Sequence, residues 1–254
     1  MTSPKSEVSI YHDPQDLTKA AAEHVIHQAS LAMNLRKKFS MALAGGSTPK
    51  SLYALLASPE YRARLDWEKV EFFWGDERHV PPDHTDSNYR MAYEAMLKPL
   101  HIPETRIHRI QGELADAQEA ANQYEKLLRN SFESSNSSIP RLDLVLLGMG
   151  PDGHTASLFP GSEAVHESTR LVVAPWVEKF RTFRITMTPG LINHAFQVTF
   201  LISGAEKSEV LRAVKEGPFQ PDVLPSQVIK PTSGHLTWLL DREAARHLSP
   251  QSSG

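Results

Sequence analysis

The 254-residue sequence contains no cysteine. That absence excludes disulfides, thiolate nucleophiles, cysteine-ligated zinc and cysteine-ligated iron–sulfur clusters together. Neither sign of charge is in excess, because 30 acidic and 27 basic side chains leave a formal net charge of −3. Such a balance supplies no global basic field, so neither nucleic acid nor an anionic membrane is an expected partner. No apolar run approaches the roughly 18 residues a membrane span needs, and the opening MTSPKSEVSIYHDP has no apolar signal-peptide core. A cytoplasmic location is the expectation. Despite 12 histidines there is no H-E-x-x-H pattern. His24 and His27 read as solvated side chains of the first helix, and Asp83-His84 lacks a third ligand nearby, so no metal is expected.

What is present is ordinary globular composition, 40% hydrophobic and 22% charged. Asp13-Pro14 reads as an N-cap followed by proline in the first helical turn. Behind it Ala22, Val25, Ile26, Ala29, Ala32 and Met33 form a helical stripe. The apolar run 39–44 stops at Gly45-Gly46 and predicts a buried strand. Thr48-Pro49 repeats the cap-plus-proline signal and predicts a helix through Leu56. Residues 70–74 predict the next strand and 87–97 the next helix. A second helical stripe runs through Ala117, Ala120, Ala121, Tyr124, Leu127 and Leu128, and 134–138 has loop composition. Residues 142–147 are the strongest strand signal, with later strands expected at 171–174, 183–187, 198–202 and 235–240. Helices are expected from about Thr188, Ala205 and Asp241. Strands that are nearly all apolar, separated by helices, predict one doubly wound, mainly parallel α/β sheet with helices on both faces. With no repeat and no linker, residues 1–254 read as a single domain, with 1–8 and 249–254 as flexible tails.

In such sheets ligands bind at the carboxyl ends of the strands, and three loops there carry chemistry. In the first, Gly45, Gly46, Ser47 and Thr48 precede a helix start, where free N–H groups and the helix dipole suit an anion. The pattern is neither a Walker A loop, since Lys50 takes the second glycine's place, nor a G-x-S-x-G elbow, since Pro49 takes the last. A plain strand-to-helix turn capped by Thr48 reads equally well from these residues. In the second loop, Asp76, Glu77 and Arg78 follow a strand. In the third, Gly148, Gly150 and Gly153 match G-x-G-x-x-G, but Pro160-Gly161 ends the following helix too early and no acid stands about 20 residues on. That nucleotide reading leaves Asp152 and His154 unexplained. A histidine at a strand end can serve as general base, with the carboxylate holding its tautomer. Arg184 and Lys207 sit at two further strand boundaries and, with the Gly45 turn, can surround one phosphate.

These loops resemble the 6-phosphogluconolactonases of the glucosamine-6-phosphate deaminase/isomerase superfamily. The matching stretches are 43–49 (LAGGSTP), 74–81 (WGDERHVP), 86–90 (DSNYR), 147–160 (LGMGPDGHTASLFP), 184–188 (RITMT) and 204–207 (GAEK). The resemblance implies a cofactor-free hydrolase that opens 6-phospho-D-glucono-1,5-lactone to 6-phosphogluconate in the oxidative pentose phosphate pathway. It implies His154, Asp152, Arg78 and Asp76 as catalytic residues. It implies Gly45, Gly46, Ser47, Thr48, Arg184 and Lys207 around the phosphate. The superfamily's deaminases carry a glutamate shortly after the histidine, in an N-E-P ending; here the ending is Ser157-Leu158-Phe159-Pro160, which favours the lactonase. Residues 177–183 lack the proline-rich run of the family. Two other readings compete: an amino-sugar-phosphate isomerase or deaminase, and a non-catalytic sugar-phosphate sensor, for which no DNA-binding module is expected before the first fold element near Ser9.

Overall fold

Asp13 starts the first helix as its sequence predicts: its Oδ1 accepts the N–H groups of Gln15 and Asp16, each at 2.9 Å, ahead of Pro14. The computed structural model describes residues 6–132 and 139–249; the loop expected at 134–138 lies outside them. In chain order the elements are β1 (Ser6–Tyr11), α1 (Pro14–Arg36), β2 (Phe39–Leu43), α2 (Ser47–Leu56), β3 (Val70–Trp74), β4 (Asp76–Arg78), α3 (Asn88–Ala92) and α4 (Ala117–Ser131). They continue as β5 (Leu144–Leu147), β6 (Val172–Val173), β7 (Trp176–Val177), β8 (Thr182–Met187), α5 (Pro189–Ile192), β9 (Gln197–Ile202), α6 (Ser208–Glu216), β10 (His235–Asp241) and α7 (Arg242–Ala245).

Six strands form one parallel sheet in the order β1-β10-β9-β5-β2-β3. Strands β2, β5 and β9 are buried along their whole length, which is why they read as unbroken apolar runs. Helices cover both faces. His24 of α1 meets Thr199 of β9 through a 2.9 Å hydrogen bond, whereas Lys215 of α6 lies over the ring of Trp238, itself stacked on Phe200. Thr199 and Phe200 are neighbours on one strand, so they point to opposite faces. Among the described residues, no helix is long and apolar enough to cross a membrane.

Several expectations need correction. Residues 6–8 belong to strand β1, not to a tail; an edge strand with half of its side chains exposed and none buried lacks the apolar run that marks a central strand. Ser249 is likewise tied down, by hydrogen bonds to Glu216; the rest of both expected tails lies outside the described residues. The segment at 76–78 is a strand rather than a loop, and with β6 and β8 it forms a second, antiparallel sheet, while β7 pairs with β8. The helix expected over 87–97 is α3 followed by a wider π turn at 93–97. His24 is half-buried, and burial pushes its pKa down to about 4.

Candidate active site

Strand order reverses between β2 and β5: the chain moves outward from β2 to β3, and in the other direction from β5 to β9 and β10. A crevice opens at the carboxyl ends at such a switch point. Here it is a cavity of about 280 Å³, lined by the turn after β2, by Asp76 and Arg78 of β4, by the turn after β5, and by Glu206 and Lys207 after β9.

The turn after β2 is built around a buried tyrosine. Tyr53 of α2 donates its hydroxyl to the Ala44 carbonyl and accepts the Ala44 N–H, both at 2.9 Å. At Gly45 a Cβ would fall 2.0 Å from Asn88 Oδ1, so only glycine admits that side chain. Gly46, at φ 103°, takes the N-cap position of α2. Thr48 is therefore not the cap, as one reading of the sequence had it; it lies in the first turn with Pro49. No side chain caps this helix, so its first N–H groups face the cavity mouth without a side-chain acceptor, as an anion site requires.

In β4 alternate side chains do different work. Glu77 is 2% exposed and accepts four bonds: Arg78 N–H at 2.8 Å, Asn88 N–H and Tyr89 N–H at 2.7 Å, and Ser87 Oγ at 3.0 Å. Burial raises its carboxyl pKa against those bonds, and the acid closes the start of α3. Asp76 faces the cavity, its Oδ2 accepting Ser157 Oγ at 2.7 Å. Arg78 donates to the Asp86 carbonyl at 2.6 Å and stands opposite Arg184 across the β4–β8 pair. Burial, then the Arg78 charge, lowers the Arg184 pKa. Both arginines keep a buried Nε with no partner among the described residues. Arg184 does not itself line the cavity; it is the cross-strand partner of Arg78, which does.

After β5 the chain turns so that Asp152 and His154 meet. Asp152 Oδ1 bonds His154 Nδ1, and its Oδ2 lies 3.3 Å from Lys179 Nζ. Burial alone would raise the Asp152 pKa, but His154 and Lys179 hold it below the usual carboxylate range. Phe159 stacks on the imidazole at 4.3 Å. With Nδ1 engaged, Nε2 is the nitrogen left to act, and His154 lines the cavity. The turn tolerates no side chain at Gly150, where a Cβ would fall 2.0 Å from His154 Cε1.

Of the residues singled out from sequence, Gly45, Gly46, Ser47, Thr48, Asp76, Arg78, His154 and Lys207 line one cavity; Asp152 supports His154 from behind. Asn88, Ser157, Phe159, Lys179 and Glu206 were missed. Asn88, Ser157, Phe159 and Glu206 lie inside the matching stretches and were available there; Lys179 carried no signal beyond its charge. Among the described residues, the one cluster of three metal-type ligands is His12, Asp13 and Asp16, which lie at the start of α1 and do not line this cavity.

A switch-point crevice holding an oriented imidazole and an uncapped helix start defines a doubly wound α/β enzyme. The family described as glucosamine-6-phosphate isomerases/6-phosphogluconolactonase matches residues 12–238, and the chain belongs to it. The 6-phosphogluconolactonase of Synechocystis sp. is 41% identical over 244 residues, 96% of this chain and 99% of the relative. That of Haemophilus influenzae is 35% identical over 232 residues, 91% and 94%. The solved structure of 6-phosphogluconolactonase from Trypanosoma brucei is 33% identical, with 97% of this chain and 100% of that one covered and a TM-score of 0.85.

Proposed function

We infer that this chain hydrolyses 6-phospho-D-glucono-1,5-lactone to 6-phospho-D-gluconate, the lactone-opening step of the oxidative pentose phosphate pathway, with His154 activating the attacking water. The observation that carries the reading is the Asp152–His154 pair beside the same cavity as the uncapped start of α2 and Lys207. His154 Nε2 takes the proton of a water as it attacks the C1 carbonyl, while Asp152 holds Nδ1 and the ring's orientation. Arg78 and backbone N–H groups of the glycine turns are the donors for the tetrahedral oxyanion. The phosphate, remote from C1, sits on the 45–48 turn and Lys207, with Arg184 adding positive charge through Arg78. Its binding energy positions the carbonyl. No step calls for a metal or cofactor.

The relatives' names support the lactonase over the deaminase, and so does the site. After His154 the chain offers Ser157, committed to Asp76, and Phe159, stacked on the imidazole, and neither can assist opening of an amino-sugar ring.

The test is hydrolysis of freshly generated lactone, measured above its spontaneous rate, with ammonia release from glucosamine 6-phosphate as the competing assay. The phosphate assignment has its own arm. A charge-assisted hydrogen bond is worth roughly 1.5–3 kcal/mol, so Lys207→Ala lowers kcat/KM about tenfold or more on the phosphorylated lactone. On plain glucono-1,5-lactone it leaves the rate nearly unchanged. Equal loss on both substrates places Lys207 in the fold or in the carbonyl chemistry instead.

A further inference from the structure

The turn between β7 and β8 grips the dyad by two separate contacts. Lys179 Nζ lies 3.3 Å from Asp152 Oδ2, the carboxylate oxygen that His154 does not use. Phe180 packs edge-on against Phe159 at 5.8 Å, and Phe159 covers the imidazole. The turn is itself braced. Trp176 Nε1 donates to Glu178 Oε2 at 2.8 Å, and the Arg181 N–H closes on the Glu178 carbonyl at 3.1 Å. Arg181 adopts φ 50°, a left-handed backbone that a non-glycine residue keeps only where its surroundings over-determine it. The Arg184 guanidinium lies over Phe180, 5.0 Å from its ring centre.

We propose that Lys179 is a positioning residue for the hydrolysis, holding the second oxygen of Asp152 and setting how strongly that carboxylate draws a proton to His154. Its kinetic consequence rests on the lactonase reading; its effect on the titration of His154 does not. The charged groups around the imidazole are Asp152 and Lys179 behind it, and Asp76, Arg78, Glu206 and Lys207 on the cavity walls. Of these, Asp152 is in direct contact with the ring, and among the described residues Lys179 is the one cation that neutralises it from the far oxygen. With Lys179 in place the Asp152 charge is shared between an ammonium and the imidazole. Without it the whole carboxylate stabilises the imidazolium, and His154 holds its proton to higher pH.

The experiment follows the imidazole signals of His154 by NMR in the isotopically labelled full chain, assigned with His154→Gln, for wild type, Lys179→Met and Lys179→Arg. The Lys179 side chain is more than half exposed, so the variants keep the fold. Lys179→Met moves the His154 midpoint up by about half a unit, about a threefold gain in proton affinity, and Lys179→Arg returns it to the wild-type value. In kinetics Lys179→Met loses kcat/KM about threefold on the acid side of the midpoint and little on the alkaline side. An unmoved midpoint overturns the proposal, and so does a loss spread evenly across pH, which marks a residue that only braces the turn. If the midpoint moves but wild type does not hydrolyse the lactone, the lactonase reading fails and the hold of Lys179 on the Asp152–His154 pair stands.

Discussion

An imidazole held between a carboxylate and a phenyl ring has one free nitrogen and one direction in which to use it. His154 is in that position, and its removal tests the chemistry directly: His154→Ala lowers kcat by at least about 10²-fold, the lower end for losing a general base, with KM little changed. A folded variant with near-wild-type turnover refutes the assignment. Gly150→Ala attacks the same group without touching it. Its new Cβ claims space 2.0 Å from His154 Cε1, so the ring must swing off Asp152, and kcat falls towards that of His154→Ala while the melting temperature moves far less. A variant with full activity shows that the ring has room the structure denies it. At this scale the sequence was most legible where a residue type can do one job only. A histidine two residues from an aspartate at a strand end stood out, as did glycines before a helix. The role of Thr48 was not legible, because a hydroxyl caps only from the residue at which the backbone turns into the helix, and that residue is Gly46. Lys179 was not legible at all, since its partner is 27 residues away in sequence and the pairing depends on a left-handed turn at Arg181.

Between elements, a single buried acid ties β4 to α3. Glu77 accepts four bonds there, three from backbone N–H groups, and each buried donor left without an acceptor costs roughly 1–3 kcal/mol. Glu77→Ala therefore destabilises the protein by at least about 2 kcal/mol, read as a lower denaturant midpoint at unchanged slope. Because Asn88 follows in α3 and abuts Gly45, the same variant loosens the anion turn and raises KM for the phosphorylated lactone. An unchanged midpoint means that water replaces the carboxylate. The charge triplet at 76–78 was visible in the sequence, but its division of labour was not. Alternation along three residues shows its meaning only once the antiparallel partner β8 is known. The central strands were legible for the opposite reason: buried on both faces, they must be apolar throughout. β1 fails that test because half of its side chains are exposed and none is buried, and the two-residue β7 is too short to carry any period.

Over the whole molecule, the pH dependence of stability has a nameable contributor. His24 is held neutral by burial with its pKa near 4, while the unfolded chain titrates near 6.5. Below 6.5 the unfolded state binds the extra proton, so stability falls as pH drops from 6.5 towards 4, by on the order of 2 kcal/mol at pH 5. His24→Gln removes most of that slope, measured as the difference in unfolding free energy between pH 7 and pH 5; equal slopes in both proteins assign the acid sensitivity elsewhere. Sheet order also bears on how the chain is made. β1 lies beside β10, with Ser6 paired to Leu236. It must wait for residues 236–241 to emerge before it finds its neighbour, and a fold closed by so distant a pairing forms slowly. The switch-point strands β2 and β5 precede Lys207 in the chain, but the Asp152–His154 turn is held by a segment that follows it: the Gly153 carbonyl accepts the Ser226 N–H and hydroxyl. A growing chain thus cannot lock its proton-transfer pair until residues beyond its phosphate ammonium have joined the fold, and the two halves of the site mature together.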